Sequence, residues 1–344
     1  MTIAARFTSR QVWSRGRIGL RTLVLLALAS IAAWQIGERV LWKPPSPGAA
    51  AMRNAAMMAA TARQEILRLK EEKRLLQPAS LDPNRTGLIG PDWSEIATTI
   101  GDVTAKRTAT NPDLAAVIVR VLQDHGIKPG QTVGAVLSGS FVGANIATLA
   151  AFQAMELKPV IVSSLGASMY GAADPEFTWL DMETALARAG IFKVRSIGVV
   201  AGGESAVGNS LSDTGRQMLS AAARRNGFEL ITGSDFATLK QAVQAEVIRA
   251  APEGLAALVS AGGAVLSIGT CVDASRLPSG LVRGKQSCAD GVPGFIHDFA
   301  DAGRPVLHIL NMKRFALDRG LPYDPIPLPQ IGLNRKIYGR KLSP

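Results

Sequence analysis

Residues 132–145 read TVGAVLSGSFVGAN. The first six are small or apolar with no polar alternation, the pattern of a short strand covered on both faces. Serine and glycine then break the run, and an Ala/Leu-rich helical pattern follows over 145–156. Strand, tight turn and helix in that order form the unit of a parallel sheet. Four more short apolar segments, 159–163, 196–201, 257–260 and 305–309, share the strand signature. Helical patterns over 112–124, 181–189, 212–226, 236–250 and 294–302 lie around and between them. The sequence therefore predicts an α/β fold, a mostly parallel sheet flanked by helices, over residues 86–320.

The chain has 344 residues, with Lys+Arg 38 against Asp+Glu 27 and a formal net charge of +11. Split by position, residues 1–43 carry +6, 44–74 carry +3 and 331–344 carry +4, which leaves −2 for residues 75–330. The predicted body is not basic. Nucleic-acid binding needs cations clustered on that body, so no nucleic-acid partner is expected.

Five arginines and no acid occupy residues 1–21, and TLVLLALASIAAWQIG over 22–37 is uncharged. A basic segment at 1–17 followed by a transmembrane signal-anchor at 18–37 is expected, since a span needs about 20 apolar residues and Arg21 can snorkel to the headgroups. Trp34 and Trp42 suit the opposite interface. A signal peptide cut after Ala29 or Ala33 is the competing reading. Either way the arginine-rich end stays inside. The chain would thus be single-pass in the cytoplasmic membrane, with its main domain extracytoplasmic or periplasmic.

Residues 44–77 read as a Pro-rich spacer and a helical stalk whose apolar stripe includes Ile66 and Leu69. With no clean heptad, packing against its own domain is expected rather than a coiled coil. A Pro-rich basic tail occupies 321–344. Cys271 and Cys288, 17 positions apart, are the only cysteines and form a disulfide candidate, with free thiols as the alternative. No second Cys/His pair at ligand spacing accompanies them, which argues against zinc.

In an open α/β sheet, ligands bind outside the carboxyl ends of the strands. Four loops fall there. The first holds Ser138, Gly139, Ser140 and Asn145, and matches neither G-x-S-x-G nor a Walker loop. Ser138 and Ser140 are candidate nucleophiles, while a plain helix-capping turn is the alternative. The second holds Ser164, Gly166 and Ser168 and runs into Asp174, Glu176, Asp181 and Glu183. Asp174 and Glu176 are the acid/base candidates. Asp181 and Glu183 are binding candidates that would equally suit the start of a helix. No cofactor is firmly implied, and a divalent cation at this acidic loop is the one group its acids would suit. Loops three and four, with Gly202, Gly203, Glu204 and Ser205, and with Gly262 and Gly263, complete the ligand-binding candidates. The histidines add little: His125 suits a helix C-terminus, and His297 and His308 lie in apolar segments.

The TGLIGP stretch at 86–91, the Ser-Gly-Ser-Phe loop with Asn145, Leu165-Gly166-Ala167-Ser168 with the DPEFTWLDME block at 174–183, and the Gly-Gly-Glu-Ser loop together resemble the bacterial poly-γ-glutamate system proteins. The resemblance spans about 86–320 and implies a membrane-anchored accessory protein of poly-γ-glutamate (capsule or secreted polymer) synthesis and export. Its implied partners are the polymer, the membrane components of the synthase and the lipid bilayer. It implies no established reaction. Basic residues Arg63, Arg68, Lys70, Lys73 and Arg74 of the stalk are expected to attract the polyanion. Two alternatives stand beside this reading. One is an enzyme that cleaves or transfers γ-glutamyl amides, for which the sequence names no base; the other is a scaffold that holds membrane partners through the helix at 49–77.

Overall fold

A computed structural model of the chain describes residues 19–41 and 48–339. The basic segment at 1–17, the start of the Pro-rich spacer, and Arg340 and Lys341 of the tail lie outside the described residues. Two compact units result, one at the N-terminus and one from residue 45 onward.

The N-terminal unit contains α1 (Leu20–Leu41). Its apolar side chains from Leu20 to Ile36, including Leu23, Leu25, Leu28 and Trp34, are exposed. Among the described residues no helix is long and apolar enough to cross a membrane. The span expected over 18–37 is therefore without support from the fold.

In the second unit, chain order gives α2 (Ala49–Lys73), β1 (Ala97–Thr99), α3 (Val103–Ala109), α4 (Asp113–Asp124), β2 (Thr132–Ser138), α5 (Val142–Ala154), β3 (Lys158–Ser164), β4 (Ala167–Ser168), α6 (Trp179–Arg188) and β5 (Gly198–Val200). There follow α7 (Asp213–Arg225), α8 (Phe236–Ala250), β6 (Leu258–Ala261), α9 (Val265–Ile268), β7 (Gly280–Val282), α10 (Phe295–Asp301), β8 (Val306–Ile309), α11 (Met312–Asp318) and α12 (Arg335–Tyr338). Six strands form one sheet in the order β5-β3-β2-β6-β8-β7, parallel except for β7 at the edge. The five expected strands are all present. A separate parallel pair, β1 with β4, was not expected from the sequence.

The apolar strand pattern has its cause in two covered faces. Val133, Ala135, Leu137, Ile161, Val259, Ala261, Leu307 and Ile309 pack toward α2, α4 and α5. Val136, Val162, Val200, Leu258 and Val306 pack the other way, against α8 and α10. The helix expected as a stalk is part of this core. Along α2, Met52, Ala55, Ala56, Ala59, Ala62 and Ile66 are buried, and the alanines let it lie close against α4 and α5. Cys271 and Cys288 are bonded as a disulfide, with their Cα atoms 5.3 Å apart.

Because Ile66 is fully buried at the α2 interface, Ile66→Ala is expected to cost about 2–5 kcal/mol of unfolding free energy. Urea denaturation of the full chain measures it; a loss under 0.5 kcal/mol, the usual size of a surface effect, would show that α2 is not part of the cooperative core.

Candidate functional site

Strand β2 is the centre of the sheet. The chain leaves it through α5 to β3 on one side, whereas β6 lies on the other. Strand order therefore reverses between β2 and β6, and the crevice outside their carboxyl ends is where such a sheet binds ligands. Two of the expected loops meet there. Gly262 has φ +97°, and a Cβ on it would stand 3.0 Å from the Cβ of Ser138, so glycine permits the close approach. On the other flank, a Cβ at Gly139 would stand 2.4 Å from the Leu165 carbonyl oxygen. The loops are stitched as well as packed: Gly139 N donates to the Ser164 carbonyl (2.8 Å) and Ala172 N to the Gly139 carbonyl (2.7 Å).

Within the first loop, Ser138 Oγ accepts from Ser140 N at 3.2 Å. The Ser138 carbonyl accepts from Asn145 Nδ2 at 2.8 Å. Asn145 is fully buried, and among the described residues its Oδ1 has no partner. Ser140 Oγ accepts from Ser168 N on β4 at 2.8 Å, which joins the first loop to the second.

A residue that the sequence did not single out completes the cluster. Lys106 of α3 reaches in so that Nζ donates to the Ser140 carbonyl and lies 2.6 Å from Ser168 Oγ. The same Nζ sits 4.9 Å from the centre of the Phe141 ring. Lys106 is 5% exposed and, among the described residues, forms no salt bridge. Burial pulls its ammonium down to about 7, against the weaker opposing pull of Asp102. Helix α3 is held by the tail: Arg107 pairs through two nitrogens with Asp324 (2.7 and 2.5 Å), Asp324 N donates to Thr108 Oγ1, and the Tyr323 hydroxyl meets Thr104 Oγ1.

The acidic block is dispersed rather than gathered. Asp174 Oδ1 accepts from Glu176 N, and no hydrogen bond joins either acid to Ser138 or Ser140 among the described residues. Glu176 lines a surface groove of about 540 Å³ with Lys73, Phe177 and Arg225. Asp181 caps α6 by accepting from Thr178 N and Oγ1, and it is paired with Arg225 and Asn226. Glu183 is buried and accepts from Ser196 N and Oγ; burial pushes its carboxyl up to about 7, against those hydrogen bonds. Both thus serve the fold around α6. The cation expected at this loop would find its four acids in different places, Asp181 and Glu183 hydrogen-bonded within the fold and Glu176 on the surface groove. Among the described residues, the one group of three or more ligand atoms close enough to share an ion is Cys271, Cys288 and His297, within 4.8 Å, and its two sulfurs are bonded to each other.

The third loop closes against the second, with Gly166 N donating to the Ala201 carbonyl at 2.7 Å and space for no Cβ at Gly202 beside Ser164 Oγ. Ser205 takes φ +57°, and Glu204 points outward while its N–H donates to Ser210 Oγ. A Cβ at Gly203 would meet Ser210 Oγ, and one at Gly263 would meet the Leu310 side chain. Of the histidines, His125 is the C-cap of α4, His297 lies beside the Cys271–Cys288 disulfide, and His308 lies beside Gly262 of the fourth loop, where burial pushes it down to about 4.

Compared with family models, curated proteins and solved structures, the chain matches none. The site stands on its own geometry, a buried lysine held by the Ser140 carbonyl and the Ser168 hydroxyl in the loops that follow β2 and β3.

Lys106 has an ordinary value of 10.5 when unfolded and about 7 when folded, so the folded state holds fewer protons in between and gains stability as pH rises through that window. Below about 7 the burial penalty is present in full. Lys106→Met removes it, so the variant's stability relative to wild type should be highest near pH 6 and fall by pH 9. Urea denaturation at the two pH values tests this, and a difference independent of pH would overturn it.

Proposed function

We propose that the chain is a membrane-associated, extracytoplasmic accessory protein of poly-γ-glutamate synthesis and export, and that the crevice between β2 and β6 receives the polymer. The resemblance at 86–91, 138–145, 165–183 and 202–205 supports the class of polymer. The observation that carries the crevice is Lys106, a buried lysine held among Ser140, Ser168 and glycine-lined loops. A γ-linked glutamyl chain offers free carboxylates and secondary amides, the groups that a lysine and hydroxyls bind.

Other routes to the polymer are weaker. Two residues of the expected basic track are committed: Arg68 is paired with Glu65 and Glu72, and buried Lys70 donates to the Ile89 carbonyl. The scaffold reading loses its surface, because the apolar face of α2 is already covered by α4 and α5. For the membrane, the proposed anchor is α1 with its flanking residues, since its exposed leucines and Trp34 favour a lipid surface over water. The arginines of 1–17 would lie on the cytoplasmic side.

Calorimetry of the full chain in detergent with defined-length poly-γ-glutamate, and with α-linked polyglutamate as the control, tests the reading. Binding that prefers the γ-linked polymer, weakens with salt and falls at least about tenfold in Lys106→Met, as for a lost charged hydrogen bond, is expected. Equal binding of both polymers, or binding indifferent to Lys106, would remove the crevice assignment.

A further inference from the structure

An acyl-transfer enzyme that works through a serine needs a nucleophile, a base in reach of it and donors for the developing oxyanion. The sequence offered serines and no base. The fold supplies one, and it changes which serine is addressed. Ser140 Oγ is turned to Ser168 N, and Lys106 meets Ser140 only at its carbonyl. Ser168 Oγ, by contrast, lies 2.6 Å from Lys106 Nζ, within the reach a general base requires.

We propose that Ser168 is a nucleophile and Lys106 its general base, and that the crevice cleaves or transfers an amide bond of a glutamyl chain by acyl transfer through Ser168 Oγ. The substrate class rests on the polymer reading above; the residue pair does not. In the step, the uncharged amine of Lys106 takes the Ser168 hydroxyl proton while Oγ bonds to the amide carbonyl carbon and the C=O electron pair moves to oxygen. Collapse of that intermediate breaks the C–N bond, and the departing amine takes the proton from Lys106. Water then attacks the Ser168 ester and gives a proton to Lys106, which returns it to Oγ as the ester C–O bond breaks. The net change is amide plus water to carboxylic acid plus amine; an amine in place of water gives transfer.

Three further features fit this chemistry. Helix α5, 13 residues long, starts two residues after Ser140, and its N-cap Phe141 offers no side-chain cap. The N–H groups of Val142, Gly143 and Ala144 therefore have no acceptor within the helix, and N–H groups of that kind are what an oxyanion requires. Asn145, one residue further, keeps a buried Oδ1 without a partner among the described residues. Two residues after Ser168, Tyr170 adopts φ +63°, a conformation that costs a bulky residue free energy and that concentrates at functional sites.

The base is also in the correct state near neutrality, since burial holds Lys106 at about 7. Asp102, the N-cap of α3, is the charged group that opposes this. From the other elements packed on it come the Ser140 carbonyl, the Ser168 hydroxyl and the Phe141 ring. Tyr323 of the tail is bonded to Thr104 and Asp102, and Arg107 is paired with Asp324.

Two assays on the full chain in detergent separate the pair from its substrate. In the first, an alkyl fluorophosphonate is the probe: Oγ bonds to phosphorus, fluoride leaves, and peptide mass mapping locates the adduct. A single adduct at Ser168 is expected, at a rate that rises through about pH 7, vanishes in Ser168→Ala and falls at least about a hundredfold in Lys106→Met; thermal melts confirm that both variants are folded. In the second, defined-length poly-γ-glutamate is incubated with the protein, and its length and new amine ends are followed. Shortening by wild type and not by Ser168→Ala supports the whole proposal. An adduct without binding or shortening of the polymer supports the pair and overturns the polymer as its substrate. Polymer bound but neither adduct nor shortening overturns the pair and leaves the polymer reading intact. An adduct at Ser140 instead overturns the assignment of the nucleophile.

Discussion

Everything in the second unit depends on a sheet that is covered on both faces. With Val133, Ala135 and Leu137 turned to one helical layer and Val136 to the other, the middle of β2 has no room for a polar group that lacks a partner. Polar chemistry is forced to the strand ends. Because β2 and β3 pair in register from Thr132 with Lys158 to Ser138 with Ser164, their two Ser/Gly loops emerge side by side. Gly262, one residue beyond β6, then brings a third loop against Ser138. The location of the crevice is thus a by-product of how the core is packed.

The same constraint explains what the sequence disclosed. Strands apolar on both sides have a signature that owes nothing to distant partners, so β2 and β3 were found to within about a residue, and the loops that follow them came with them. Asp181 was readable as a helix-start residue because capping is local. Glu183 was harder to place, since its burial is decided by Ser196, beyond the end of α6. The short β7 was missed in a Gly/Pro/Ser-rich stretch, where an edge strand of three residues leaves little periodicity.

Lys106 shows where local reading stops. Its surroundings, TAKRTAT over 104–110, have two adjacent cations and no apolar stripe, the appearance of a solvated surface turn. Nothing in that heptapeptide distinguishes the lysine that is buried from Arg107, which pairs with Asp324. The distinction is made by β4 and by the loop after β2 on one side and by the tail on the other. The acidic block was conspicuous for the opposite reason, since clustered charge attracts notice whether or not the fold gathers it.

The brace between Arg107 and Asp324 joins residues 217 positions apart. The serine and glycine loops of the crevice are all encoded before residue 264, so a chain emerging from N- to C-terminus presents them first and receives Asp324 well after. During that interval α3 lacks the ion pair that ties it to the tail. The brace on α3 is therefore the last of these contacts whose residues are all synthesised, after every serine and glycine of the crevice.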